Sequence, residues 1–145
     1  MNYIIKSPET ALEWEKYFNF RWEMLRKPLG MSKDTIRDEL EDRSFHLIAV
    51  NDQKEIIGSG RLHFNNRNEG QIRYMAVTSS IQRQGLGSEI VLKLENIAKN
   101  EGIQEMVLNA RENAINFYLS LGYKKKEPYK SDTSIPHTTM RKKLS

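Results

Sequence analysis

One run, Met75-Ala-Val-Thr-Ser-Ser-Ile-Gln-Arg-Gln-Gly-Leu-Gly-Ser88, constrains this chain more than any other. It passes from an apolar strand end, through a polar turn, into a helix that starts on glycines. A helix begun this way aims several free backbone N–H groups and a partial positive charge at one point. Such a point receives a phosphate. Gly85 and Gly87 let a ligand reach backbone that a Cβ would cover. Two familiar phosphate loops are excluded. No Lys-Ser/Thr pair follows, as a nucleotide hydrolase requires, and the third glycine of the dinucleotide fingerprint is missing.

At 145 residues the chain is expected to form one domain, 1–145, with room for a real core. It has no cysteine, which excludes a disulfide framework, thiolate metal ligation and a cysteine nucleophile. The three histidines are scattered without ligand spacing, so no metal is expected. No apolar run approaches the ~20 residues of a membrane span, and the opening Met1 to Lys6 is too short for a signal peptide. The expectation is a cytoplasmic protein with no membrane partner, monomeric or homodimeric. The net charge is +4, and residues 74–145 carry all of the excess, with 11 Lys and Arg against 7 Asp and Glu. Lys124, Lys125, Lys126, Lys130, Arg141, Lys142 and Lys143 read as a solvated strand and tail, or as charges that serve the same polyphosphate as the glycine loop. A nucleic-acid surface would interleave aromatics among them, and only Tyr123 and Tyr129 are there.

Residues 2–6 alternate as a first strand. Ser7-Pro8-Glu9 reads as a helix start with Ser7 as the cap. Leu12, Trp14, Tyr17, Phe18, Met24 and Leu25 form an apolar stripe that runs to about Arg26. Pro28-Leu29-Gly30 ends it, and Ser32 opens a short second helix over roughly 33–41. Phe45 to Val50, Glu55 to Phe64 and Gln71 to Val77 form an antiparallel meander that feeds the glycine turn. Leu86, Ile90, Leu94, Ile97 and Ala98 mark the buried face of the next helix, and Gly102 stops it. Glu105 to Leu108 is a buried strand, parallel to the strand before that helix. Arg111 to Leu121 is a helix, and Tyr123 to Glu127 and Thr138 to Lys142 are the last strands. The predicted class is α/β (α+β) with a mixed, mostly antiparallel central sheet, in the order β-α-α-β-β-β-α-β-α-β-β.

That order, with glycines at the exit of the fourth strand, resembles the GNAT superfamily of acetyl-CoA-dependent N-acetyltransferases. Gln82-Arg83-Gln84-Gly85-Leu86-Gly87 fits its Arg/Gln-x-x-Gly-x-Gly/Ala cofactor motif. Ile72 to Val77 fits the preceding strand, and Phe117-Tyr118-Leu-Ser-Leu-Gly-Tyr123 fits its aromatic-Tyr-x-x-x-Gly-Phe/Tyr segment. More narrowly, Arg61-Leu62, Gln71 to Val77, Leu108-Asn109-Ala110-Arg111 and Ile135-Pro136-His137 resemble a small bacterial subgroup of the superfamily. The family pattern often has a cofactor-touching Asn seven residues before the helix Tyr. This chain has Arg111 there, with Asn109 and Asn113 as nearby substitutes.

The resemblance implies that the fourth and fifth strands splay and that the pantetheine arm pairs with the edge Met75-Ala76-Val77. A backbone N–H at or beside Val77 would meet the oxyanion. The pyrophosphate would rest on the amides from Arg83 to Ser88, with Gln82, Gln84, Leu86 and Phe117 around the cofactor. By periodicity alone Tyr118 is a core residue on the face of Ala114 and Leu121. The resemblance makes it the general acid for the leaving thiolate. A lysine-like amine, with a pKa of about 10.4, must also lose a proton. His137, in a polar loop after Pro136, is the candidate base, with Glu69, Asp42 and His46 as further options, while His63 reads as a sheet residue. Arg21, Trp22, Arg26 and the break at 27–30 are the expected acceptor wall, and Arg73, if it faces the cleft, would bind an anionic acceptor. The reading is acetyl transfer from acetyl-CoA to a primary amine of a small molecule or peptide, with no nucleic-acid partner. The alternative is a CoA-binding regulatory module without turnover.

Overall fold

The computed structural model describes residues 2–82, 84–131 and 133–144. Its strands are β1 (Tyr3–Lys6), β2 (Phe45–Asn51), β3 (Ile56–Phe64), β4 (Glu69–Val77), β5 (Glu105–Arg111), β6 (Lys124–Tyr129) and β7 (His137–Lys143). Its α-helices are α1 (Ala11–Leu25), α2 (Leu86–Asn100) and α3 (Ile115–Ser120). One sheet takes the order β1-β2-β3-β4-β5-β7-β6. Every neighbouring pair is antiparallel except β4 and β5, which α2 connects and which are parallel as expected.

Helices cover both faces of the sheet. β2 lies inside it and is apolar on both sides. Leu47 and Ala49 join the core built on α2 residues Leu86, Ile90, Val91, Leu94 and Ala98. Ile48 and Val50 join a smaller cluster with Tyr17, Trp14 and Phe18 of α1. The α2 face follows the sequence period, and Gly102 beyond it has φ +83°, the left-handed stop the pattern calls for.

Four local expectations are corrected. The helix expected from Arg111 begins at Ile115, because β5 runs on to Arg111 and a 3-10 turn at Glu112–Ala114 follows it. The cap of α1 is Thr10 and not Ser7: the Glu13 N–H donates to Thr10 Oγ1 at 3.1 Å, and the Glu13 carboxylate accepts from the Glu9 N–H at 2.9 Å. This reciprocal pair starts the helix three residues later. Leu12 is exposed rather than part of the inward stripe. The expected helix over 33–41 is made instead as short 3-10 turns at Lys33–Ile36 and Glu41–Arg43. There the Asp38 carboxylate accepts from the Leu40 N–H at 2.9 Å and Glu41 accepts from the Asp38 N–H at 3.1 Å. Side chains thus compete with the helical ladder.

Two irregularities make the cleft. β4 and β5 pair only from Glu69↔Glu105 to Gln71↔Val107. Beyond that point the β5 side of β4 has no strand partner, so the two strands splay. Between Ser59↔Ala76 and Arg61↔Arg73, β4 also carries one residue more than β3. This bulge puts Tyr74 at φ +57° and turns the strand at the mouth of the splay.

Candidate active site

The glycine turn, the end of β4 and α3 meet at one point. A Cβ on Gly87 would lie 3.2 Å from Phe117 Cζ and 3.6 Å from Val77 Cγ2, so the missing side chain allows the three elements to close. Gly85, with φ +91°, is the N-cap of α2, and no side chain caps that helix end. The first-turn N–H groups are therefore left for another acceptor. The Gln82 side-chain amide donates to the Val77 carbonyl at 3.0 Å and ties the turn to β4. Leu86 is in the core, so only its backbone can serve a ligand. Gln84 is exposed and Ser88 half-buried. Arg83 lies outside the described residues.

Met75 and Val77 pack their side chains against the core, and Ala76 is buried. What β4 offers to the splay is its backbone edge. An extended chain of amides placed there has main-chain partners, and a phosphate at the α2 start has donors. These residues fit a CoA-like molecule.

The Tyr118 ring is buried, 4.9 Å from that of Phe117 and 5.7 Å from that of Tyr123. Its hydroxyl has no hydrogen-bond partner among the described residues, and burial pushes its pKa far above the ordinary 10.0. The phenol therefore keeps its proton.

On the far side of the splay, His137 opens β7 directly opposite Arg111, the last residue of β5. His137 Nδ1 lies 2.8 Å from the Ile135 carbonyl. A carbonyl only accepts, so Nδ1 is the donor there and Nε2 is the ring nitrogen left for another partner. Nε2 has no partner among the described residues. Arg111 Nη2 donates to the Leu25 carbonyl at 2.9 Å, and Arg26 Nη1 approaches the same oxygen at 3.3 Å. Burial, and then the charge of Arg26, lower the pKa of Arg111. Arg26 also lies 5.8 Å from the Tyr74 ring. Arg26 thus spans from Tyr74 on β4 to Arg111 on β5.

The other expected wall residues are placed differently. Arg21 has no exposed surface. Its Nη1 and Nη2 each donate to Glu41 at 2.9 Å, and they also reach the Tyr17 hydroxyl and the Ile36 carbonyl. It anchors the wall from behind and stacks 3.7 Å over the Tyr74 ring. Arg73 is bound to Asp38 at 3.0 Å. Trp22 donates from its indole N–H to the Met31 carbonyl at 2.9 Å, fixing the break after α1.

Asn109 accepts from Thr139 at 2.7 Å, and Asn113 is exposed in the turn before α3. His46 is held at both nitrogens, by Tyr17 at 2.8 Å and the Glu41 carbonyl at 2.9 Å. Glu69 is paired with Arg141 at 2.5 Å, at the closed end of the splay, and Asp42 is exposed on an outer turn.

Sequence reasoning passed over Arg61, Asp38 and Glu41. Arg61 is fully buried and meets Asp38 at 2.7 and 2.9 Å and Glu41 at 2.8 Å. Arg61 entered the sequence reading only through Arg61-Leu62 in the narrower resemblance, and the signal for its role was an arginine within a strand whose neighbours are largely buried. No group of His, Asp and Glu that could hold a metal ion occurs among the described residues. No helix there is long and apolar enough to cross a membrane.

Residues 25–144 match the family described as an acetyltransferase (GNAT) domain. The chain is 31% identical over 126 residues to a Bacillus subtilis (strain 168) protein named uncharacterized N-acetyltransferase YjcF, covering 86% of this chain and 89% of that one. Among solved structures it is similar to a GNAT-family acetyltransferase of Staphylococcus aureus Mu50, with a TM-score of 0.85, 16% identity and coverage of 99% and 100%. It is also similar to an aminoglycoside 6'-N-acetyltransferase complexed with coenzyme A, with a TM-score of 0.80, 17% identity and coverage of 97% and 96%.

Proposed function

The chain belongs to the GNAT acetyltransferase family, and from that premise we propose that it moves the acetyl group of acetyl-CoA to a primary amine of a small molecule or peptide. The observation that supports this best is the convergence of Val77, Gly87 and Phe117 beside the unpaired edge of β4. A known complex of this fold with coenzyme A adds to it.

The backbone edge 75–77 would bind the pantetheine arm, and the amides from Gln84 to Ser88 the pyrophosphate, with Arg83 adding charge. Gln82, Leu86 and Phe117 close the turn around it, and Asn109 and Asn113 flank the arm. When bound, acetyl-CoA supplies a thioester whose carbonyl carbon takes the amine nitrogen as its C–S bond breaks, leaving a thiolate. The Val77 N–H would donate to the oxyanion, since the Thr78 N–H is already held by the Ile57 carbonyl at 3.0 Å. The ammonium would shed one proton to solvent before attack; His137 Nε2 would then take one proton from the attacking nitrogen, and the Tyr118 hydroxyl would give one to the thiolate. The proton on His137 returns to Tyr118 through solvent, so an amide and a thiol leave and the protein is unchanged. Arg26 and Arg73 line the acceptor side, with Arg21 behind them.

The test is a pair of measurements on one preparation. Acetyl-CoA should raise the melting temperature, and thiol should be released when amines are added. A raised melting temperature with no thiol release across amino acids, peptides, polyamines and aminoglycosides would make the protein a CoA-binding module instead.

A further inference from the structure

Arg111 stands out among the arginines at the cleft. Arg21, Arg61 and Arg73 each hold a carboxylate at 2.7–3.0 Å. Arg111 has no carboxylate within ion-pair distance among the described residues. Its one hydrogen bond there goes to the Leu25 carbonyl. That bond uses one of five donors and points the guanidinium under the end of α1. The remaining donors are not among the buried unsatisfied atoms, so they open to solvent. A half-buried cation with open donors and no acid beside it is suited to an external anion.

Its place in the sheet makes that anion specific. Arg111 and His137 are direct cross-strand partners. Such pairs share one face, with Cβ atoms roughly 5 Å apart. An anion held on Arg111 therefore lies beside the group that takes the proton from the amine. The two ends of the acceptor must then be close in one small molecule.

Resting on the reading of His137 given above, we propose that the acceptor is a small amino acid, an amine with a carboxylate a few bonds away, and that Arg111 binds the carboxylate. The resembled family often has a cofactor-contacting Asn at this position. Here the side chain runs instead to α1, and it serves the acceptor rather than the cofactor.

The experiment uses the full chain with acetyl-CoA and matched acceptor pairs: L-phenylalanine with phenethylamine, L-histidine with histamine, L-leucine with isoamylamine and L-lysine with cadaverine. Thiol release is measured for each. At least one amino acid should exceed its decarboxylated partner by about tenfold or more in kcat/KM, the scale set by a charge-assisted contact. In Arg111→Gln that ratio should fall to about one, through KM for the amino acid. Arg111→Lys should restore part of it. The acetyl-CoA melting shift of both variants shows that they fold.

Equal turnover within every pair, a preference for the decarboxylated amines, or a preference that survives Arg111→Gln would each overturn the proposal. Silence across the whole panel would overturn it too. Acetyl transfer itself falls only if peptides, polyamines and aminoglycosides are also silent.

Discussion

The Tyr123 hydroxyl donates to the Glu95 carboxylate at 2.9 Å, and the Tyr123 ring lies edge-on to that of Tyr118. Glu95 sits on the buried side of α2 and also holds Lys142 of β7 at 2.9 and 3.1 Å. One carboxylate thus joins α2, the entry to β6 and β7 behind Tyr118.

Removing it leaves a buried hydroxyl and an ammonium without their partner. Glu95→Ala should therefore lower stability by about 2–4 kcal/mol, or on the order of 10 °C in melting temperature. Glu95→Gln keeps an acceptor and should lose less. Thermal denaturation without ligand checks both. A Glu95→Ala variant that melts with the wild type would show that the contact contributes nothing.

Tyr118→Phe separates chemistry from folding. The hydroxyl makes no hydrogen bond among the described residues, so its removal strands nothing. The melting temperature should stay within about 2 °C of wild type, the range of a neutral substitution, and the rise with acetyl-CoA should persist. Thiol release should slow by roughly 100-fold, the scale of a lost proton donor. An unaltered rate removes Tyr118 from the reaction.

Much of the scaffold could be read from the sequence, because its signals are local. Leu86, Ile90, Leu94 and Ala98 carry their period, and Gly102 its stop, within one helix. The parallel placement of β5 follows from that helix alone. The acceptor side was harder to read, because distant charges organise it. Ile36 and Leu40 suggest a helix, yet Asp38 and Glu41 are drawn onto Arg61 and Arg21, some 20 residues away in either direction. The same pull buries Arg21, which by sequence alone reads as a cleft residue. Arg111 could not be placed either, since its reach to Leu25 spans 86 residues.

The glycine turn gives a graded pair. Gly85→Ala meets no atom within 4 Å, but φ is +91°. It should cost about 1 kcal/mol in stability and keep a reduced acetyl-CoA shift. Gly87→Val drives branched carbons into the Phe117 ring and Val77, already 3.2 and 3.6 Å from the Cβ position. It should abolish the acetyl-CoA melting shift. Full protection of Gly87→Val by acetyl-CoA would remove the turn from cofactor binding.

Acid should unfold the protein in two windows. His46 takes a proton acceptor's role toward Tyr17 and donates to the Glu41 carbonyl, and His63 Nδ1 faces the Arg61 guanidinium at 3.1 Å. Both rings are neutral in the fold. Burial lowers both pKa values below the ordinary 6.5, with the charge of Arg61 adding to it at His63. The unfolded chain then binds more protons than the folded one as pH drops below about 6.5, so stability falls there. The second window belongs to the carboxylates. Burial would raise Asp38 and Glu41, but hydrogen bonds and charge outweigh it. Arg61, the Leu40 N–H and Arg73 bring Asp38 from 3.8 to about 2, and Arg21 and Arg61 lower Glu41 from 4.5. Their contribution is intact above those ordinary values and is lost as pH falls through the depressed ones. Urea midpoints between pH 8 and 2 should therefore drop first below about 6.5 and again below about 4. His63→Asn, which keeps an acceptor for Arg61, should shrink the first drop to the share that His46 contributes and leave the second. A first drop unchanged in that variant would show that His63 does not drive it.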